Sequence, residues 1–353
     1  MRAWDETEDV LRRAAERRDA DHEETLRELD DEGVSLDPAA PGQHRHGDVE
    51  HASDHAHPHA QSGPGERPVV GIVGAGPVGI ALGVALDRAG WPVGAVASRD
   101  PERRERFRAH VTGARGFAEA NALVDDVELV ILAVPDDAIV EVAGTLRLYA
   151  GQAMIHTSGV LGAEALRPAM AAGTQAGAFH PLVAFADLDR ALAALPGATV
   201  AIEGDEELAA HLAEMAEAIG AVPVRLPAGS KAAYHAAAVL AAGGTVALLD
   251  TIREIAGLMG LDEAGALRIY LPLLEQAVAN ARALGVAASL TGPATRGDLG
   301  TIGAHLEALQ AGAPGVLPVY RALLERDATI ARERGALSPE SAERLRAALA
   351  GLP

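Results

Sequence analysis

The chain contains no cysteine among its 353 residues, which excludes disulfides, thiolate metal sites and cysteine nucleophiles. Aromatic residues make up only 3% of a sequence that is 49% hydrophobic, so its cores must be built from Ala, Val, Leu and Ile. Basic residues are outnumbered, 30 Lys and Arg against 50 Asp and Glu, and the formal net charge is −20. That balance argues against nonspecific binding to nucleic acid or an anionic membrane, and an anionic ligand would have to be met by locally placed Lys or Arg. The opening MRAWDETEDV has no apolar leader, so a cytoplasmic protein is expected.

Three regions differ in character. Residues 1–66 combine a densely charged stretch, Asp5 to Glu32, with a Pro/Gly/His-rich run. Low hydrophobicity cannot offset the entropy of ordering such a segment, and a disordered extension is expected. Its histidines (His44, His46, His51, His55, His57 and His59) are read as solvated rather than as a metal site. Residues 67–226 alternate short apolar strands with helices, the pattern of a parallel, doubly wound sheet. From 227 to 353 the pattern is helical. Ala236 to Leu249 carries no charge and Thr245 as its one polar side chain, and a helix apolar all round is expected to be buried all round, inside a second domain or a dimer.

The densest information lies in PVVGIVGAGPVGIALGVALDRAGWPVGAVASR, residues 68–99. Val69 to Val73 reads as a buried strand, Ile80 to Ala89 as a helix ending at Gly90, and Val93 to Ala97 as a second strand. Between the first two stands Gly74-Ala75-Gly76-Pro77-Val78-Gly79, a G-x-G-x-x-G in the strand–turn–helix context that gives the motif meaning. Gly74 permits the tight turn, Gly76 lets a pyrophosphate approach the backbone, and Gly79 lets helix and strand pack closely. The helix N-terminus, which begins at Pro77, offers the N–H groups of Val78 and the residues after it and partial positive charge to the phosphates. A membrane span over Val69 to Leu86 would also be uncharged, but Pro77 and the glycines break it.

NAD-preferring sites usually end the second strand in Asp or Glu. Here it ends in Ser98-Arg99, with Arg103 and Arg104 close behind. A hydroxyl and a guanidinium suit a 2′-phosphate, so NADP is the expected cofactor, with Asp100 leaving NAD open. The strand Leu129 to Val134 ends in Pro135, and its carboxyl end is expected beside the nicotinamide.

Lys231 and His235 stand four apart on one helical face. A Lys and a His on an otherwise apolar helix need polar partners, which a substrate cleft supplies. Lys231 is read as the group that polarises and protonates a carbonyl as hydride arrives, with His235 orienting the substrate or completing a relay. A snorkelling lysine at a helix entry is the competing reading. His156 and His180 end predicted strands. His180 and Ser158 are candidate substrate contacts, and Ser158 is alternatively a helix cap. Arg296 is placed to hold a carboxylate with Thr291 donating beside it, while Asp298 suits a helix N-cap.

HTSGVLGAEAL (156–166), FHPL (179–182), KAAYHAAAVLAAGGTVALLD (231–250) and LTGPATRGD (290–298) together resemble a known family. It pairs a Rossmann-like domain with a helical domain of unknown function, and its wider relatives are the ketopantoate, pyrroline-carboxylate and β-hydroxyacid reductases. The resemblance spans about 68–350. It implies a helical domain like the C-terminal domain of 6-phosphogluconate dehydrogenase, and a homodimer. By position, Lys231 falls on the catalytic lysine of the β-hydroxyacid reductases and His235 on their asparagine. The family's usual central-helix asparagine is replaced here at about Gly243-Gly244.

The resulting expectation is an NADPH-dependent reductase of a small anionic 2-oxo acid, with 2-dehydropantoate the leading substrate. The alternatives are an imine reductase of pyrroline-carboxylate type and a nucleotide-sensing regulator without turnover.

Overall fold

The structure is a computed structural model, and it describes residues 67–167 and 174–350. The extension expected to be disordered, with its histidines, lies outside the described residues. The chain divides into two compact units, 1–238 and 239–353.

The first unit is an eight-stranded sheet in the order β3-β2-β1-β4-β5-β6-β7-β8. Its strands are β1 Val70–Val73, β2 Val93–Ala97, β3 Arg115–Phe117, β4 Leu129–Leu132, β5 Ala153–His156, β6 Gln175–Pro181, β7 Thr199–Glu203 and β8 Val222–Arg225. The first six run parallel in the doubly wound order whose ligand crevice lies at the carboxyl ends of the strands. Strand alternation gives the sheet two cores. Val70, Ile72, Leu129 and Ile131 face one of them, and Val73, Val130 and Leu132 the other.

Helices α1 Pro77–Arg88, α2 Pro101–His110 and α3 Asp136–Thr145 follow β1, β2 and β4. The fully parallel sheet expected from the sequence is corrected at one edge: β7 runs antiparallel to β6, and β8 follows β7. The reason is the connection. Only the seven-residue helix α4, Leu188–Ala194, lies between β6 and β7, about 10 Å at 1.5 Å per residue, less than half the span of seven-residue β6 at about 3.3 Å per residue. The chain therefore turns back where it left, with Leu182 N–H donating to Thr199 O at 2.8 Å. Helix α5, Glu206–Ala218, joins β7 to β8, and α6, Lys231–Val239, follows β8.

The second unit is helical. A π turn, Leu240–Gly244, leads into α7 Thr245–Gly257, then α8 Glu263–Leu284, α9 Val286–Ser289, α10 Pro293–Arg296, α11 Leu299–Gly312, α12 Leu317–Glu333 and α13 Pro339–Ala350. The helices from α10 onward share a core of Ala294, Ile302, Leu306, Leu324, Ala328 and Leu345, among others. Within the single chain the apolar helix is not buried: Leu240 and Val246 are 72% and 67% exposed. By length and composition alone, Lys231–Gly257 is the one described segment able to cross a membrane. The π turn falls on Gly243-Gly244, where the helix is wound more loosely than its neighbours.

Candidate functional site

The glycine-rich turn lies as its residue types require. Gly74 has φ +108°, and a Cβ on it would stand 2.2 Å from Ala133 O, so only glycine fits there. A Cβ on Gly79 would stand 1.9 Å from Gly74 O, which seats α1 directly on the turn. A Cβ on Gly76 would meet nothing within 4 Å, and no side chain caps the helix there. The space in front of this helix N-terminus is open to an anion.

A cleft of about 680 Å³ starts at this turn. Of the residues the sequence assigned to cofactor binding, Gly74, Gly76, Pro77, Val78, Ser98, Arg99, Val134 and Pro135 line it, while Gly79 sits behind the turn. Arg103 and Thr157 line it as well. The carboxylate that might have served a ribose 2′-hydroxyl is occupied. Asp100 Oδ1 accepts from Glu102 N–H at 2.9 Å and Arg103 N–H at 3.2 Å, and Oδ2 lies 3.3 Å from Arg103 Nε. Arg104 donates to Ser98 O. Arg99 is exposed and makes no hydrogen bond or ion pair with a described residue, which leaves its guanidinium available.

Beyond Thr157 stand His156, Ser158, His180, Lys231 and His235, gathered from β5, its following loop, β6 and α6. They fall into two groups. In the first, each side chain is bonded to the loop backbone or to another member of the group. His156 Nε2 meets Gly162 O at 2.9 Å, and its Nδ1 accepts from Ser158 N–H at 3.2 Å. Ser158 Oγ accepts from Val160 N–H and Leu161 N–H at 3.2 and 3.0 Å, closing the local turn instead of capping a helix, with its own proton still to give. Lys231 is buried; its ammonium donates to Leu161 O and lies 3.9 Å from Glu203 Oε2. Glu203 in turn accepts from Ala163 N–H at 2.8 Å. Burial lowers the Lys231 pKa, opposed by Glu203, Glu164 and Asp136.

In the second group the polar atoms are open. His180 Nδ1, Tyr234 Oη and His235 Nδ1 are buried atoms without a hydrogen-bond partner. The His180 ring meets those of Tyr234 and His235 edge to face, each at 5.6 Å. Gly159 makes room for them: a Cβ there would lie 2.2 Å from His235 Nδ1 and 2.7 Å from His180 Nε2. Burial, then the neighbouring His235 and Lys231, lowers His180 to about 4; burial first also lowers His156 to about 4. Both are neutral at physiological pH. Burial raises the Tyr234 phenol to about 12.

Thr291 and Arg296 lie in the second unit, both exposed and donating no hydrogen bond to a described residue. Asp298 is the expected N-cap of α11, accepting from Thr301 N–H at 3.1 Å and Thr301 Oγ1 at 2.8 Å. Two residues escaped the sequence reading. Tyr234 carried a signal in its i+3 spacing from Lys231, whereas Glu203 carried none, since its partners stand 28 and 40 positions away.

Fold and cleft define the class, a doubly wound dinucleotide-type domain followed by an all-helical unit. The comparisons add a domain match for each part of the chain. Residues 57–181 match the model of a Rossmann-like domain, and residues 198–326 match that of a domain of unknown function, DUF2520. The chain is therefore one that pairs these two domains.

Among solved structures, a Thermotoga maritima protein is 28% identical, with a TM-score of 0.61 over 75% of this chain and 100% of its own. A Bacteroides fragilis protein described as a candidate NADP oxidoreductase is 23% identical, with a TM-score of 0.62 over 74% and 98%. The 1-pyrroline-5-carboxylate reductase of Streptococcus pyogenes is 17% identical, with a TM-score of 0.53 over 74% and 99%. No curated protein matches the chain.

Proposed function

We propose that this protein is an NADPH-dependent reductase of a small substrate with a C=O or C=N bond. The observation that carries the reading is that Thr157 lines the glycine-rich cleft, one residue along the chain from Ser158 of the polar cluster. The cradle fits a dinucleotide. The open N-terminus of α1 at Gly76, Pro77 and Val78 would hold the pyrophosphate, and Val134 and Pro135 would flank the nicotinamide. Ser98 and Arg99 would hold a 2′-phosphate, a choice supported by the engagement of Asp100 in capping α2. The bound dinucleotide would supply the hydride.

The chain's own residues would then manage charge and protons. The Lys231 ammonium sets a positive potential beside the reacting atoms, where it favours developing negative charge on oxygen. His235, His180 and the Ser158 proton are the groups we assign to holding the substrate in the first unit. Neutral donors without a carboxylate among the open groups favour a carbonyl, and a 2-oxo acid such as 2-dehydropantoate is the first substrate to try. A cyclic imine is the second reading, favoured by the likeness to a pyrroline-carboxylate reductase. The uncovered apolar surface of α7 and α8, with Val246, Ile269, Leu273 and Val278 exposed, supports a homodimer in which a second copy covers it.

The test is NADPH oxidation across a panel of 2-oxo acids and cyclic imines, with NADH in parallel and Lys231→Ala as control. Turnover of one class, lost in Lys231→Ala with NADPH binding retained, is expected. Tight NADPH binding with no turnover of any member would instead identify a nucleotide-sensing protein.

A further inference from the structure

Three neighbouring polar groups in the first unit have no partner, and that costs stability. A buried donor or acceptor left unsatisfied costs about 1–3 kcal/mol, so most are paired and each exception calls for a reason. His180 Nδ1, Tyr234 Oη and His235 Nδ1 are three such exceptions, on rings packed against His180 or on His180 itself. The adjoining polar side chains are anchored. His156, Ser158, Lys231 and Glu203 all bind the backbone of residues 158–163 or each other. Lys231, Tyr234 and His235 share one face of α6 at i, i+3 and i+4, yet only the last two present unengaged atoms.

We propose that Tyr234 is the proton donor of the reduction, with His180 and His235 flanking it, and that Lys231 and Glu203 act as positioning residues which hold the loop against them. The assignment rests on the reductase reading above. As the hydride joins the carbonyl carbon, the C=O π pair moves onto oxygen. The Tyr234 O–H bond breaks and a new O–H bond forms on the substrate, giving an alcohol and a phenolate. The phenolate recovers its proton from water by way of a flanking imidazole. An alkoxide is more basic than a phenolate, so the transfer runs downhill. The phenol's raised pKa keeps the donor protonated throughout the physiological range, whereas neutral His180 has no imidazolium proton to give.

The experiment compares Tyr234→Phe and Glu203→Gln with the wild-type protein, reading kcat on the substrate found in the panel, NADPH affinity and thermal midpoint. Tyr234→Phe keeps the ring contact with His180 and removes only the hydroxyl. Its kcat is expected to fall about 10²- to 10⁴-fold, the range for a positioned acid. Its NADPH affinity and thermal midpoint should stay at or above the wild-type values, because an unpartnered hydroxyl adds no stability. Glu203→Gln should lower the thermal midpoint, since it removes the carboxylate facing a buried ammonium. Wild-type kcat in Tyr234→Phe overturns the assignment. So does a Phe variant that melts early or fails to fold, which would give the hydroxyl a structural role. A wild-type protein inert on every substrate overturns the reductase reading itself, a distinguishable result.

Discussion

The two ends of the first unit's site are built from different materials. At the glycine-rich end the ligand would meet main-chain N–H groups, and the critical side chains are the missing ones at Gly74, Gly76 and Gly79. At the other end the ligand would meet side chains, Tyr234, His180 and His235, kept in place by a second set of side chains bonded to the 158–163 backbone. A backbone site tolerates little change in shape, whereas a side-chain site can lose one group and keep its frame. The comparison therefore predicts separable failures.

Gly79→Ala attacks the first end and should have the largest effect. Its methyl would stand 1.9 Å from Gly74 O, a clash with backbone that cannot be relieved by a rotamer change. Overpacking of this kind costs about 1–3 kcal/mol or more. NADPH affinity should drop by more than about 10-fold, read by fluorescence titration. A variant that binds as tightly as wild type would mean that the cradle lies elsewhere.

Gly159→Ala attacks the second end. Its methyl would press on His235 Nδ1 and His180 Nε2, and a displacement near 1 Å of a positioned group costs up to about 10²-fold in rate. Turnover should fall while NADPH affinity stays within about twofold, a difference of under 0.5 kcal/mol. Equal losses of both would break the distinction between the two ends.

The third effect is a pH dependence of stability. His156 and His180 titrate at about 4 in the folded protein against 6.5 ordinarily. As pH falls through 6.5, the unfolded chain takes up these protons before the folded one does. The stability they leave intact above 6.5 is thus lost progressively down to about 4. Urea midpoints at neutral pH and near pH 4.5 should show the decline, and His156→Gln should flatten it.

How far each end was legible follows from the same difference. The glycine turn, β2 at Val93–Ala97 and the Asp298 cap are local patterns, and local patterns survive in a sequence. So does the helical pattern after 227, which α8, α12 and α13 meet. Strand β3 is three residues long with an exposed Arg115, too short and too polar to register as a strand. The reversal of β7 depends on the shortness of α4, which an alternating pattern does not report. Lys231 and His235 were recognisable as polar residues on an apolar helix. That the Lys231 ammonium is occupied by Leu161 O, 70 positions away, is a tertiary fact. Tyr234 was hidden by its own dual nature, since an aromatic ring on an alanine-rich helix reads as packing until its hydroxyl is found without a partner.

The central claim is that this fold holds a 2′-phosphorylated dinucleotide as a hydride source. It is tested most directly by titrating the wild-type protein with NADPH and NADH side by side. Arg99 is free to pair with the 2′-phosphate and Asp100 is committed to its helix. Charge-assisted hydrogen bonds of about 1.5–3 kcal/mol then predict NADPH bound roughly 10- to 100-fold more tightly than NADH. Equal affinity for the two, or binding of neither, would contradict it.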